Sequence, residues 1–283
     1  MKNFILRTLT AIGIVAVQVL CTYFSPFSLG ALFLLLTALT VNEFIKIVSQ
    51  RGEVSVNRPI VIVGSCYLFF AFWLNSMTQS ESLILFVPYL ALLLYLYIKE
   101  LYSEHENPIA NLGIIMLSQF YVVLPLALIN VLAFVPFDCF IGKSADNFYA
   151  IPLCIYIFIW VNDTAAYLSG ITLGRHGKHK LFPRISPKKS WEGAIGGALA
   201  TVGSAFVVEH FFTFMNVWQW VGMALVVVVF GTFGDLTESM IKRHLGIKDS
   251  GHILPGHGGI LDRLDSMLFA IPAVLIYLLI ISV

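Results

Sequence analysis

The residues best suited to chemistry in this sequence are acids that stand inside long apolar segments. Asp163 lies within one apolar run, Asp235 and Glu238 lie within a second, and Asp262 and Asp265 open the last. An ionised carboxylate at membrane depth is costly unless it pairs, binds a cation or lines a wet cavity. These acids are therefore candidates for a functional site.

Two other embedded acids, Glu43 and Glu209, are given a different interpretation. Each stands near the end of an apolar run and has a basic neighbour, Lys46 or His210. We expect these two acids to be interfacial or locally paired, with no part in catalysis.

The spacing of the later acids favours a divalent cation. Positions three apart share one face of a helix, so Asp235/Glu238 and Asp262/Asp265 each present two carboxylates in one direction. Mg²⁺ binds one or two carboxylates together with substrate phosphates and water. The alternative is a network of these acids with basic neighbours that only holds helices together, and the spacing alone leaves both open. The basic neighbours are Lys242, Arg243 and Arg263.

Two polar segments carry groups that can bind phosphate. The first contains 174–178, Gly-Arg-His-Gly-Lys, and 186–193, Ser-Pro-Lys-Lys-Ser-Trp-Glu-Gly; the second contains 242–249 and the glycine run 255–259 ahead of Asp262. Glycine lets backbone approach a phosphate closely, and Lys or Arg neutralises the phosphate charge. We interpret both segments as a place where anionic phosphates meet a metal. For the first, an ordinary basic loop is the alternative.

The composition indicates a membrane protein. The chain has 283 residues, of which 58% are hydrophobic and 12% charged, too apolar for a soluble core. Basic residues form no stripe with exposed aromatics, so nucleic-acid binding is not expected. Apolar runs long enough to cross a bilayer predict an all-α polytopic fold with about nine transmembrane helices. These runs lie near 6–24, 27–48, 59–76, 82–99, 109–134, 148–172, 192–213, 217–243 and 264–283.

The basic residues set the expected orientation. Of the 17 Lys and Arg residues, 14 fall in the loops after predicted spans 2, 4, 6 and 8, which places those loops in the cytoplasm. We expect 1–150 to form an N-terminal multi-span region. We expect 151–283 to form a catalytic transmembrane region with cytoplasmic loops at 173–191 and 243–263.

The segment from Ser239 to Asp265 resembles the signature of the phosphatidate cytidylyltransferase family, the CDP-diacylglycerol synthases. It reads Ser-Met-Ile-Lys-Arg, four residues, and then Lys-Asp-Ser-Gly-His-Ile-Leu-Pro-Gly-His-Gly-Gly-Ile-Leu-Asp-Arg-Leu-Asp. The resemblance extends to Asn-Asp-Thr-Ala-Ala-Tyr at 162–167, to 186–193, and to Gly-Asp-Leu-Thr-Glu-Ser at 234–239. It covers roughly 150–270 in detail, whereas 1–150 fits only in being apolar and multi-span.

The resemblance implies a dimeric enzyme that joins CTP and phosphatidic acid to give CDP-diacylglycerol and pyrophosphate. It implies a Mg²⁺ site, with a second cation left open, formed by Asp235, Asp262 and Asp265. The nucleotide and phosphate contacts map to Asn162, Asp163, Tyr167, Ser186, Lys188, Lys189, Glu192, Gly258 and Gly259. The remaining catalytic candidates are Lys242, Arg243, Lys248, Asp249, His257 and Arg263.

Two alternatives remain at this stage. The first is another CTP-using membrane enzyme, such as a polyprenol or phytol kinase-like protein or a CDP-archaeol synthase. The second is an ion-coupled transporter whose embedded acids bind ions, although that reading leaves the Lys-Asp and His-Gly-Gly segments unexplained. For the favoured reading we expect a multi-pass protein of the bacterial plasma membrane, with its active site facing the cytoplasm.

Overall fold

The protein is helical through most of its length. The structure, a computed structural model, describes residues 2–52, 54–80, 82–137, 147–173, 179–254, 256 and 258–283. Its ten α-helices are α1 (Lys2–Phe24), α2 (Pro26–Val48), α3 (Arg58–Thr78), α4 (Val87–Leu101), α5 (Pro108–Ser118), α6 (Leu124–Phe134), α7 (Ala150–Thr172), α8 (Trp191–Phe211), α9 (Val217–His244) and α10 (Leu261–Ile281).

The predicted polytopic architecture is confirmed. Eight helical segments of the described chain are long and apolar enough to cross a membrane, and a shorter apolar stretch, Thr8–Phe24, precedes them. Helices α5 and α6 form one such segment, joined by a π-helical turn at Gln119–Val123. The described helices therefore fall on the nine apolar runs that the sequence predicts.

The chain divides into two compact units. The first comprises Met1–Val135 and Leu245–Leu264, and the second comprises Pro136–His244 and Asp265–Val283. Helix α10 begins in the residues of the first unit and continues in those of the second. The assignment of catalysis to 151–283 is a statement about function and stays a prediction.

In the first unit, α2 lies at the centre of the packing. Ser25 caps the helix, accepting a hydrogen bond from the Ser28 amide at 3.0 Å, and Pro26 starts the first turn with its fixed φ. The α2 side chains Leu29, Phe33 and Phe44 are fully buried. Helix α2 packs against α1 and α3, and α3 packs against α6.

In the second unit, glycines allow α7 and α8 to pack closely. A Cβ atom on Gly197 would lie 2.6 Å from Asn162 Oδ1, and one on Gly193 would lie 2.9 Å from the Ala166 carbonyl oxygen. Small residues permit such close approach between apolar helices, where lipid provides little hydrophobic drive for association. This packing brings the polar face of α7 next to the start of α8.

A β-hairpin precedes α8, within the segment 173–191 that the sequence predicts to be a loop. Strand β1 (Lys180–Phe182) pairs antiparallel with β2 (Ser186–Ser190), with Lys180 opposite Ser190. Ser190 then caps α8, because its hydroxyl accepts a hydrogen bond from the Gly193 amide at 3.2 Å. The hairpin thus fixes Lys188 and Lys189 close to the first turn of α8.

Candidate active site

A cavity of about 450 Å³ lies within the second unit, between α7, the hairpin, α8, α9 and α10. The structure brings six of the predicted site residues to its wall. Helix α7 contributes three of them, β2 two and α9 one. They are Asn162, Asp163, Tyr167, Lys188, Lys189 and Asp235.

Charged groups of both signs meet in this unit. Lys189 Nζ forms an ion pair with Asp235 Oδ2, and the Ser239 hydroxyl donates to Asp235 Oδ1 at 3.2 Å. Asp265 lies within electrostatic range of Asp235, Asp163 and Lys242. Several acids and lysines concentrated in one place can bind a cation and an anionic substrate together.

Other predicted residues of the second unit lie away from the cavity wall. Lys242 forms an ion pair with Glu238 at 2.6 Å, one turn along α9, and Glu238 is almost fully buried. This ion pair joins two residues of the same helix. Arg243 is exposed in the last turn of α9.

Two residues of the 186–193 segment have local roles. The Glu192 carboxylate contacts His179 Nδ1 at 2.9 Å, which ties the start of α8 to the residue before β1. Ser186 begins β2 opposite Phe182. Neither of the two lines the cavity, so their assignment to nucleotide binding stays a prediction.

Asp262 lies in the first unit, where it accepts hydrogen bonds from the backbone of two other segments. Its carboxylate accepts a hydrogen bond from the Ser250 amide, at 3.0 Å to Oδ2, and another from the Gly259 amide at 2.9 Å.

Lys248, Asp249 and Arg263 are exposed. His257 and the 174–178 segment lie outside the described residues.

The two glycines before α10, Gly258 and Gly259, are needed for different structural reasons. Gly258 has φ of +87°, a left-handed conformation that glycine adopts without strain. Gly259 has no positive φ, but a Cβ there would meet the Ser250 hydroxyl and lie 2.5 Å from Glu43 Oε2. Internal packing therefore requires that Gly259 has no side chain. Close approach of the Gly258–Gly259 backbone to a phosphate stays a prediction.

Sequence reasoning missed several small residues that line the cavity. Gly231 and Thr232 on α9 and Ser266 on α10 belong to its wall. Gly231 and Thr232 stand four and three residues before Asp235, so helical periodicity places them on the face of that acid. The signal was present in the sequence, because small residues beside an embedded acid leave room for a ligand.

The donor set of the second unit is compatible with Mg²⁺. Asp235 and Asp265 supply carboxylate oxygens, and Mg²⁺ usually completes its shell with waters and substrate phosphates. Over the described ranges no group of three or more His, Cys, Asp and Glu side chains is arranged to hold a metal ion. The Mg²⁺ site, to which substrate phosphates would contribute oxygens, stays a prediction.

Comparison with known proteins identifies the family. A family model described as the Cytidylyltransferase family matches residues 5–281. The chain belongs to the cytidylyltransferase family. The family relationship predicted from the 239–265 signature is therefore confirmed.

Curated relatives of this chain include staphylococcal proteins that are named phosphatidate cytidylyltransferase. The Staphylococcus aureus protein is 49% identical over 128 residues, which is 45% of this chain and 48% of the relative. The Staphylococcus haemolyticus protein is 44% identical over 144 residues, 50% of this chain and 54% of the relative. The matched part of the chain spans about half the length of these curated relatives.

Proposed function

We propose that the protein transfers a cytidylyl group from CTP to phosphatidic acid, giving CDP-diacylglycerol and pyrophosphate. The observation that carries this proposal is the cavity in which Lys188, Lys189 and Asp235 meet, in a chain of the cytidylyltransferase family. The relatives named phosphatidate cytidylyltransferase support phosphatidic acid as the acceptor.

In the proposed reaction a phosphate oxygen of phosphatidic acid attacks the α-phosphorus of CTP in line. A new oxygen–phosphorus bond forms, and the bond to the bridging oxygen of the β-phosphate breaks, so that pyrophosphate leaves with that electron pair. Both reactants are anions, and positive groups must offset their repulsion. Lys188 and Lys189 line the cavity, and we assign this task to them. A phosphomonoester is already nucleophilic near neutral pH, so no strong general base is needed.

The proposed cofactor is Mg²⁺, with Asp235 and Asp265 as its ligands in the second unit and Asp262 as a further predicted ligand. When bound, Mg²⁺ would stabilise negative charge on the transferred and leaving phosphate oxygens. The Asp235–Lys189 ion pair supports this role. The Asp235 carboxylate attracts positive charge, and Lys189 supplies part of the charge that the cation would supply.

The nucleotide is proposed to bind along α7 and β2. Asn162 offers an amide, and Tyr167 is a cavity-lining residue that is 68% exposed. Exposed aromatic rings of this kind stack on nucleobases. Lys242, Arg243, Lys248, Asp249, His257 and Arg263 remain proposed contributors to phosphate binding on the basis of the family signature.

The proposed setting is a bacterial plasma membrane, with the site open to the cytoplasm and the acyl chains of the lipid remaining in the bilayer. The apolar helices and the bacterial relatives support a membrane location, and the distribution of basic residues supports the cytoplasmic side. A homodimer is proposed from the family resemblance alone.

One assay tests the proposal against its alternatives. Purified protein is incubated with CTP labelled in the cytosine ring, Mg²⁺ and a panel of phosphatidic acid, polyprenol, phytol and archaetidic acid. We expect a labelled CDP-lipid from phosphatidic acid. A labelled CDP-lipid formed from archaetidic acid alone would overturn the acceptor. Release of labelled CDP together with formation of a polyprenyl or phytyl phosphate would overturn the reaction type. The absence of any product together with ion flux in proteoliposomes would favour a transporter.

A further inference from the structure

Glu43, an acid in the middle of the first unit, has a role that its sequence neighbours do not reveal. It lies in α2 and is only 3% exposed. Lys46 is exposed, and the ion pairs of the described chain do not join the two residues. The expected local pairing with Lys46 is therefore not found. A carboxylate buried at this depth needs another source of compensation.

The compensation comes from a distant part of the chain. Glu43 Oε2 accepts a hydrogen bond from the Leu261 amide at 2.9 Å and another from the Ser250 hydroxyl at 3.3 Å. Leu261 is the first residue of α10, where backbone amides have no partner within the helix. An acid at this position also interacts favourably with the helix dipole.

Two glycines make room for this carboxylate. A Cβ on Gly251 would lie 2.5 Å from Glu43 Oε1, and a Cβ on Gly259 would lie 2.5 Å from Glu43 Oε2. We call the group formed by Glu43, Ser250, Gly251, Gly259 and Leu261 the Glu43 clamp. Any larger residue at either glycine would push the carboxylate away from Leu261.

The Glu43 clamp and Asp262 hold the same short segments. Ser250 donates its amide to Asp262 and its hydroxyl to Glu43, while the amide of Gly259 goes to Asp262 and the amide of Leu261 goes to Glu43. The two carboxylates therefore fix the same backbone from two sides. Loss of Glu43 would release the backbone that sets the position of the Asp262 carboxylate.

The two carboxylate oxygens of Glu43 differ in their hydrogen bonding. Its Oε1 atom is buried and has no hydrogen-bond partner among the described residues. An unsatisfied buried oxygen destabilises a fold, so the hydrogen bonds that Oε2 accepts from Leu261 and Ser250 must offset this cost.

We propose that Glu43 is a positioning residue that fixes Ser250, Gly259 and the start of α10, and so holds Asp262 in place for catalysis. The catalytic part of this inference rests on the proposed cytidylyl transfer, whereas the anchoring of the backbone can be measured without any turnover. Glu43 itself is not expected to touch either substrate.

The test uses Glu43→Ala, Glu43→Asp and Glu43→Gln in the full-length protein, with hydrogen–deuterium exchange and steady-state kinetics. Glu43→Ala removes the acceptor of the Leu261 amide, so exchange in peptides covering Leu261 should rise about tenfold. Turnover of the folded enzyme should fall by about 10- to 100-fold through kcat, as for other residues that orient a catalytic group, without a change in the KM for the lipid. Glu43→Asp keeps the charge but is one methylene too short, so it should resemble Glu43→Ala.

Glu43→Gln is the rescue variant. Its amide oxygen can still accept from Leu261, so exchange at Leu261 should stay low and most of kcat should return. Should Glu43→Ala not fold, the comparison of Glu43→Asp with Glu43→Gln still decides. Unchanged exchange at Leu261 in both Glu43→Ala and Glu43→Asp, or full kcat in both, overturns the proposal.

Glu100→Gln is the matched control, because Glu100 is another buried acid of the first unit, 8% exposed. It accepts from Asn111 Nδ2 at 2.6 Å and contacts His105 at 3.0 Å. Its substitution should lower the melting temperature while leaving exchange at Leu261 and kcat unchanged. A wild-type protein that forms no CDP-lipid would refute the proposed function, yet faster exchange in Glu43→Ala would still establish the anchoring.

Discussion

Asp235 in the second unit has a different kind of partner from Glu43 and Asp262 in the first unit. In the second unit Asp235 and Asp265 are near other charged side chains, with Asp235 on a cavity wall beside Lys189. In the first unit Glu43 and Asp262 accept hydrogen bonds from backbone amides. Side-chain partners can be exchanged for a substrate or a cation, whereas an acid that holds backbone amides fixes the course of the chain. This comparison predicts a binding role for Asp235 and a positioning role for Glu43 and Asp262.

The largest expected effect is from Asp235→Asn in the second unit. The substitution keeps the shape of the side chain but removes the charge that faces Lys189 and the predicted cation. We expect kcat to fall at least about a hundredfold, as for other groups that stabilise charge in a transition state, with little change in melting temperature. The measurement is CDP-lipid formation per folded molecule at saturating CTP and Mg²⁺.

Glu209→Gln provides the control for Asp235→Asn. Glu209 is a half-buried acid of the same unit near the end of α8, and it does not line the cavity. Its substitution should leave kcat unchanged. Near-normal activity of Asp235→Asn at saturating Mg²⁺ would refute the binding role of the acids in the second unit.

Asp262→Asn should have the next largest effect, and its form distinguishes positioning from metal binding. The Asn amide keeps one acceptor oxygen for the amides of Ser250 and Gly259 but loses the second. If Asp262 only holds backbone, the melting temperature should fall and the apparent Mg²⁺ constant should stay the same. If Asp262 also binds Mg²⁺, as the family signature implies, that constant should rise by about tenfold or more. Mg²⁺ titration of turnover beside thermal melting separates the two.

The fold was largely predictable because membrane spans leave a strong signal. Apolar runs of about 20 residues must form helices to satisfy their backbone in lipid, and the described helices fall on the predicted runs. The β-hairpin was not predictable in this way. Ser186 to Ser190 contains a proline, two lysines and two serines, none of which favours a strand, so its conformation depends on pairing with Lys180–Phe182.

Residues of the site that belong to sequence motifs were predictable. Contacts between residues that lie far apart in the sequence were not. Asn162, Lys188 and Asp235 come from separate motifs, and the cavity unites them. Glu43 contacts Ser250 and Leu261 across more than 200 residues of sequence. No local sequence pattern predicts such a pair, so the sequence alone favours pairing of Glu43 with its neighbour Lys46. The hydrogen bonds of Glu43 to Ser250 and Leu261 are the observations that support a positioning role instead.

Lys188→Ala should produce a smaller effect, on CTP binding. Lys188 is exposed on β2 and lines the cavity, so it can reach a phosphate without giving up an ion pair within the described chain. We expect the apparent CTP constant to rise roughly tenfold, the cost of one charged hydrogen bond. Added salt should reduce the difference from wild type, because salt screens the lost contact.

Arg184→Ala is the matched control for Lys188→Ala, since Arg184 is an exposed basic residue in the turn of the same hairpin and does not line the cavity. It should leave the apparent CTP constant unchanged. An effect of Lys188→Ala confined to the phosphatidic acid titration would reassign this lysine to the lipid headgroup.

The smallest effect should come from Tyr167→Phe, which tests how α7 holds the nucleotide. The Tyr167 ring is exposed at the cavity, and its hydroxyl has no hydrogen-bond partner within the described residues. If the ring stacks on cytosine, the ring carries the binding energy and the hydroxyl adds little, so Tyr167→Phe should leave the apparent CTP constant nearly unchanged. Tyr167→Ala should raise the constant about tenfold, the cost of one stacking contact. A loss in Tyr167→Phe as large as that in Tyr167→Ala would mean that the hydroxyl binds substrate directly, and the face of α7 would then recognise the nucleotide by hydrogen bonding.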